Sequence, residues 1–175
     1  LSGLLPGGRP IDNDEARAKV ASEWGVDAAD LPVGGLSLDE VVAAIHADNE
    51  AIAAATDPSK VERSLNALLV AGVESGDLAD PEAFVGALDS VFVVSLEQRH
   101  SEVTQRADVV LPVAVAAEKA GAFTNWEGRT QTFGQVLRGS LALSDARVLS
   151  MIATDMGAPL VSADISEIRA EFQRI

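Results

Sequence analysis

Three short apolar runs, Ala67–Ala71 (ALLVA), Val91–Val94 (VFVV) and Val109–Leu111 (VVL), constrain this chain more than any other feature. Each is too short for a helix and rich in β-branched residues, and none alternates with polar positions. That pattern suits strands buried on both faces. Between the first two runs, Asp80-Pro81-Glu82 opens a helix through Leu88, where proline at the first helical position loses no needed donor. Between the last two, Ser101–Arg106 has room for a short helix. Strand, helix, strand, helix, strand in this order implies a parallel sheet joined by right-handed crossovers. The expected fold class is therefore α/β: a parallel sheet with flanking helices, plus a short β-hairpin and C-terminal helices.

The flanks read as follows. Residues 1–12 are rich in Gly and Pro and form a loop; a helix from Asp14 to Trp24 ends at Gly25. Ser37-Leu38-Asp39-Glu40 is a capping box ahead of the apolar stripe Leu38, Val41, Val42, Ile45 and Ile52, which predicts a helix to about Ala55. Asp57-Pro58 restarts a helical turn. Ala122–Asn125 and Arg129–Phe133 pair across a turn at Glu127-Gly128. Ser144 caps a helix through Met156, and a last helix runs from Ile165 to Phe172. Residues 1–64 read as an N-terminal loop and helix segment of the same domain, 65–135 as the parallel α/β core, and 136–175 as C-terminal helices.

Composition removes whole classes of function. With 13 basic against 27 acidic residues, the formal net charge of −14 repels a phosphate backbone and disfavours anionic membrane surfaces. It serves solubility, or attraction to a basic partner surface. No apolar run approaches the roughly 18 residues of a membrane-spanning helix. There is no cysteine, so disulfides, thiolate metal sites, cysteine nucleophiles and cysteine-ligated iron–sulfur clusters are excluded within the chain. The opening LSGLLPGG has neither an initiator Met nor the charged start of a signal peptide, and a piece of a longer protein is expected.

The candidate chemistry is sparse. His46 and His100 lie on different predicted helices, and neither Asp48 nor Glu50 has the spacing to share a helix face with His46. A solvated surface is expected there. Asp12-Asn13-Asp14-Glu15 lacks the glycine and distal glutamate of a calcium loop and reads as a helix start. There is no Gly-x-Ser-x-Gly elbow. Gly72-Val73-Glu74-Ser75-Gly76 follows the first strand, where open sheets bind ligands; it is either a tight structural turn or a place for backbone amides on a phosphate, against which Glu74 counts. Glu118-Lys119 are sequence neighbours that point apart on a helix. Arg129, beside Asn125 and Gly128, either recognises a ligand or pairs with Glu127 or Glu118 in a hydrogen-bonded turn.

One stretch is specific enough to name a family. Ala107–Pro112 (ADVVLP) is followed by Glu118-Lys119-Ala120-Gly121, Phe123, Asn125, Glu127-Gly128-Arg129 and Gln131. This order resembles the molybdopterin oxidoreductase superfamily, which includes formate dehydrogenases and nitrate reductases. The strand at 91–94 with Glu97 and Ser101-Glu102 resembles the family's strand–acid–Thr-Glu segment, and Gly72 its preceding glycine turn. Arg147–Gly157 and Ser162–Phe172 resemble the helices that follow. The likeness covers 65–175 well; over 1–64 its best phrase is Leu4-Leu5-Pro6-Gly7-Gly8-Arg9. Within the superfamily the chain looks most like the family of G subunits of bacterial NADH-quinone oxidoreductase, the respiratory complex I.

That resemblance implies a mainly structural piece of the peripheral arm, on the cytoplasmic side of the inner membrane, supporting electron transfer from NADH to quinone. Its partners would be other peripheral-arm subunits, with no nucleic acid and no direct membrane insertion. Iron–sulfur clusters would lie in an N-terminal part outside this chain, and the molybdopterin site would be degenerate. Three departures from the family pattern agree: Glu97 stands where Asp usually binds a guanine, Ser101-Glu102-Val103 replaces Thr-Glu-Thr, and Gly72 leads to Val73-Glu74-Ser75 instead of Asn-Pro. The candidate cofactor-binding residues Gly72, Glu97, Asn125, Gly128 and Arg129 are then vestigial, with no catalytic residue and no metal ligand. The alternative is a fragment of an active molybdopterin guanine dinucleotide oxidoreductase such as formate dehydrogenase, in which Gly72, Glu97, Asn125 and Arg129 contact the cofactor.

Overall fold

In the computed structural model, residues 4–5, 9–31, 33–160 and 164–174 are described. Two short strands, β1 (Leu4–Leu5) and β2 (Arg9–Pro10), precede helices α1 (Asp14–Trp24) and α2 (Leu38–Ala54). Then come β3 (Ala67–Ala71), α3 (Pro81–Leu88), β4 (Phe92–Glu97), α4 (Glu102–Arg106) and β5 (Val109–Pro112). The chain ends with the hairpin β6 (Gly121–Thr124) and β7 (Thr130–Phe133), followed by α5 (Asp145–Asp155) and α6 (Ile165–Arg174). These elements form two compact units. One is Leu36–Val113; the other joins Leu1–Gly35 to Ala114–Ile175.

In the first unit, β3, β4 and β5 form a parallel sheet in sequence order, with Leu69 beside Val94 and Val94 beside Val109. Because both crossovers advance in the same direction, their right-handedness puts α3 and α4 on the same face. The core lies there: Val42 and Ile45 from α2, Phe84, Ala87 and Leu88 from α3, and Val103 from α4 pack on Val70 and Val93. The expectation of strands buried on both faces is corrected accordingly. The opposite face presents Leu69, Phe92 and Val109, and Leu69 is 55% and Phe92 50% exposed. Only β4 is central enough to be mostly buried.

Local chemistry sets the helix ends as expected. Ser37 and Glu40 make the capping box reciprocally, Asp80 caps α3, and Ser101 caps α4 with Thr104 reaching back. Gly25 ends α1 in the left-handed conformation that side chains resist. His46 departs from the solvated position expected for it. It is half-buried, and its Nε2 lies 2.9 Å from the carbonyl of Ala83, joining α2 to α3.

Asp48, on α2, accepts hydrogen bonds from the hydroxyl and the N–H of Ser64 and from the N–H of Leu65, just ahead of β3. The Ser64 hydroxyl is the main cause that holds the Asp48 carboxyl below the ordinary aspartate range. A depressed folded value means the contact stabilises the fold above the ordinary range and is lost as pH falls through the depressed value. Carboxyl NMR titration of Ser64→Ala should move the Asp48 midpoint upward; an unmoved midpoint would refute that assignment.

Strand ends differ modestly from expectation. β4 runs through Glu97, because Glu97 pairs in register with Pro112 and its carbonyl accepts the N–H of Val113. Residues 1–12, read as loop, contain the β1–β2 pair, Leu4 opposite Pro10. Residues 6–8 of the Leu4–Arg9 phrase, and 162 and 163 of the Ser162–Phe172 segment, lie outside the described residues. The hairpin strands begin and end one residue away from expectation: Asn125 and Arg129 belong to the turn, and Gly121 joins β6.

In the second unit, α6 makes polar ties. Arg169 donates to the carbonyls of Gly121 and Phe133, Glu171 accepts the indole N–H of Trp24 at 2.9 Å, and Arg174 pairs with Glu23. α6 thereby joins the hairpin base to α1.

Candidate functional site

The five candidate residues fall into two groups, one in each unit. Gly72 and Glu97 lie at the C-terminal ends of adjacent strands in the parallel unit. Asn125, Gly128 and Arg129 form the hairpin turn in the other.

Gly72 follows β3 directly, at φ +63°, a left-handed conformation that favours glycine. The chain then makes a tight turn over Ser75–Asp77. Two contacts fasten this loop to the segment after β4: Arg99 pairs with Glu74, and the Ser75 hydroxyl donates to Glu102 at the start of α4. Glu97 closes β4, nearly buried, and its Oε1 accepts the N–H of Gln98 at 2.9 Å. The strand-end loops thus carry the carboxylates Glu74, Glu97 and Glu102, and the guanidinium of Arg99 is held by one of them.

The hairpin turn is equally self-contained. Asn125 Oδ1 accepts from the N–H groups of Glu127 (3.1 Å) and Arg129 (2.9 Å), and its Nδ2 donates to Glu127. Backbone bonds from Asn125 N–H to Arg129 C=O and from Gly128 N–H to Asn125 C=O close the loop. Gly128 sits at φ +78°, the left-handed position of a three-residue hairpin loop. Arg129 lies 3.9 Å from Glu127, with both side chains solvated, so this pair is worth under about 1 kcal/mol. Of the two acids expected as partners in the turn, Glu127 is the one Arg129 pairs with.

Glu118 and Lys119 look in different directions. Glu118 accepts from the N–H of Val115, while Lys119 pairs with Asp145 at the start of α5. The motif's acid, Asp108, serves the backbone: Oδ2 accepts the N–H of Val93 at 2.8 Å, and its own N–H donates to the Val93 carbonyl. It pins the register of β4 against β5. Sequence reasoning passed over Asp108, Arg169 and Ser95. Ser95 is fully buried on the core side of β4, and its hydroxyl has no partner among the described residues. The run VVSLE, with a serine inside a buried strand, was the available signal.

The family model of the molybdopterin oxidoreductases matches residues 19–144. The chain belongs to the molybdopterin oxidoreductase family. It is 48% identical to the G subunit of the NADH-quinone oxidoreductase of Mycobacterium bovis over 98% of the chain and 20% of that relative. Likewise it is 48% identical to the G subunit of the NADH-quinone oxidoreductase of Streptomyces coelicolor, over 100% of the chain and 20% of the relative. A nitrate reductase of Symbiobacterium thermophilum is 34% identical over 90% of the chain and 19% of its own length. The chain therefore spans about a fifth of the length of the curated relatives it matches.

Membership implies a pterin dinucleotide, which carries a pyrophosphate. The side chains at the strand ends fit that group poorly. Three carboxylates disfavour an anion, and among the described residues Arg99 beside them is engaged by Glu74 in a solvated pair. At the turn, the Asn125 amide is spent on the loop itself. Among the described residues, no three His, Cys, Asp or Glu side chains are grouped to hold a metal ion.

Proposed function

We propose that this chain is a structural piece of the molybdopterin-type region of a component like the G subunit of an NADH-quinone oxidoreductase, with a degenerate pterin site. Its role is to support, within the peripheral arm on the cytoplasmic side of the inner membrane, electron transfer carried by iron–sulfur clusters elsewhere. The observation that carries this reading is the self-pairing at the strand ends. Arg99 with Glu74, and Ser75 with Glu102, are engaged with carboxylates at the place where an anionic dinucleotide would need a surplus of donors. The relatives at 48% identity support the assembly, and the acidic charge disfavours a nucleic-acid partner. No helix among the described residues is long and apolar enough to cross a membrane, in keeping with a peripheral position.

A second reading rests on the 34% identity to a nitrate reductase: an active enzyme holding a molybdopterin guanine dinucleotide, with Glu97 accepting from the guanine. Metal and pterin analysis of the intact full-length protein separates the two. The proposal expects molybdenum and tungsten well below stoichiometry and no released pterin fluorescence. One molybdenum or tungsten per chain, with pterin, would select the second reading.

A further inference from the structure

We draw no further inference here: the strongest candidate, the apolar face of the parallel sheet that presents Leu69, Phe92 and Val109, carries nothing, because the chain spans about a fifth of the length of its relatives and nothing in the structure shows what covers that face.

Discussion

Phe84→Ala is expected to cost the parallel unit about 3–5 kcal/mol, the usual range for emptying a buried phenylalanine site. Phe84 is 1% exposed on α3, at the centre of the cluster formed with Ile45, Leu88 and Val93. The loss has two parts: the transfer of the ring's apolar surface, and the cavity left behind. The cavity cannot close readily, because α2 and α3 are held at a fixed spacing by the His46–Ala83 contact and by Asn49 bonded to Ser90. A typical domain has only about 5–15 kcal/mol in total, so urea denaturation should show a large fall in midpoint. Phe92→Ala supplies the contrast within the same sheet. Half its surface is exposed on the face opposite the core, and its removal should cost less than half as much. Equal losses from the two substitutions would mean that the sheet's second face is as well buried as its first.

That contrast marks where the fold was legible in sequence and where it was not. The strands announced themselves because β-branched runs bounded by Asp-Pro and Ser caps have few other uses. The caps at Ser37, Asp80 and Ser144 act as read because each depends only on residues within one turn. Burial on both faces was misread because ALLVA and VVL look alike whether a strand is central or at an edge. Strand order and crossover direction decide that, and neither is written locally. Glu97 was placed beyond β4 for a similar reason: its pairing with Pro112 depends on a strand that comes a dozen residues later. At the candidate site, the positive φ of Gly72 and Gly128 follows from glycine itself. What Asn125 and Arg99 do with their polar atoms does not, since it depends on which neighbour reaches them first. The motif acid Asp108 shows the same gap. Its place in ADVVLP signals the family, while its work, holding the Val93 amide, needs β4 beside it.

Arg169→Met should loosen the hairpin while leaving the parallel sheet intact. Arg169 comes from α6, 36 and 48 residues along the chain from the carbonyls of Phe133 and Gly121 that it reaches, at 3.2 and 2.8 Å. Those two residues face each other in register at the hairpin base, so one guanidinium clasps both strands. Methionine keeps much of the apolar stem and removes the donors. Hydrogen bonds from a charged donor contribute about 1.5–3 kcal/mol net, and a total loss of about 2–3 kcal/mol is expected for this shared, partly buried pair. A two-stranded hairpin has little stability to spare, and the Phe123–Phe133 stack supplies only about 0.5–1.5 kcal/mol beyond its buried area. Amide exchange should therefore quicken more than tenfold across Gly121–Thr124 and Thr130–Phe133, with β3, β4 and β5 unchanged. Arg169→Lys, which keeps the charge without the planar fork, should fall between the two. Undiminished hairpin protection in Arg169→Met would show that the turn and the ring stack hold the hairpin unaided. Loss of protection in both units would show instead that α6 supports the whole chain.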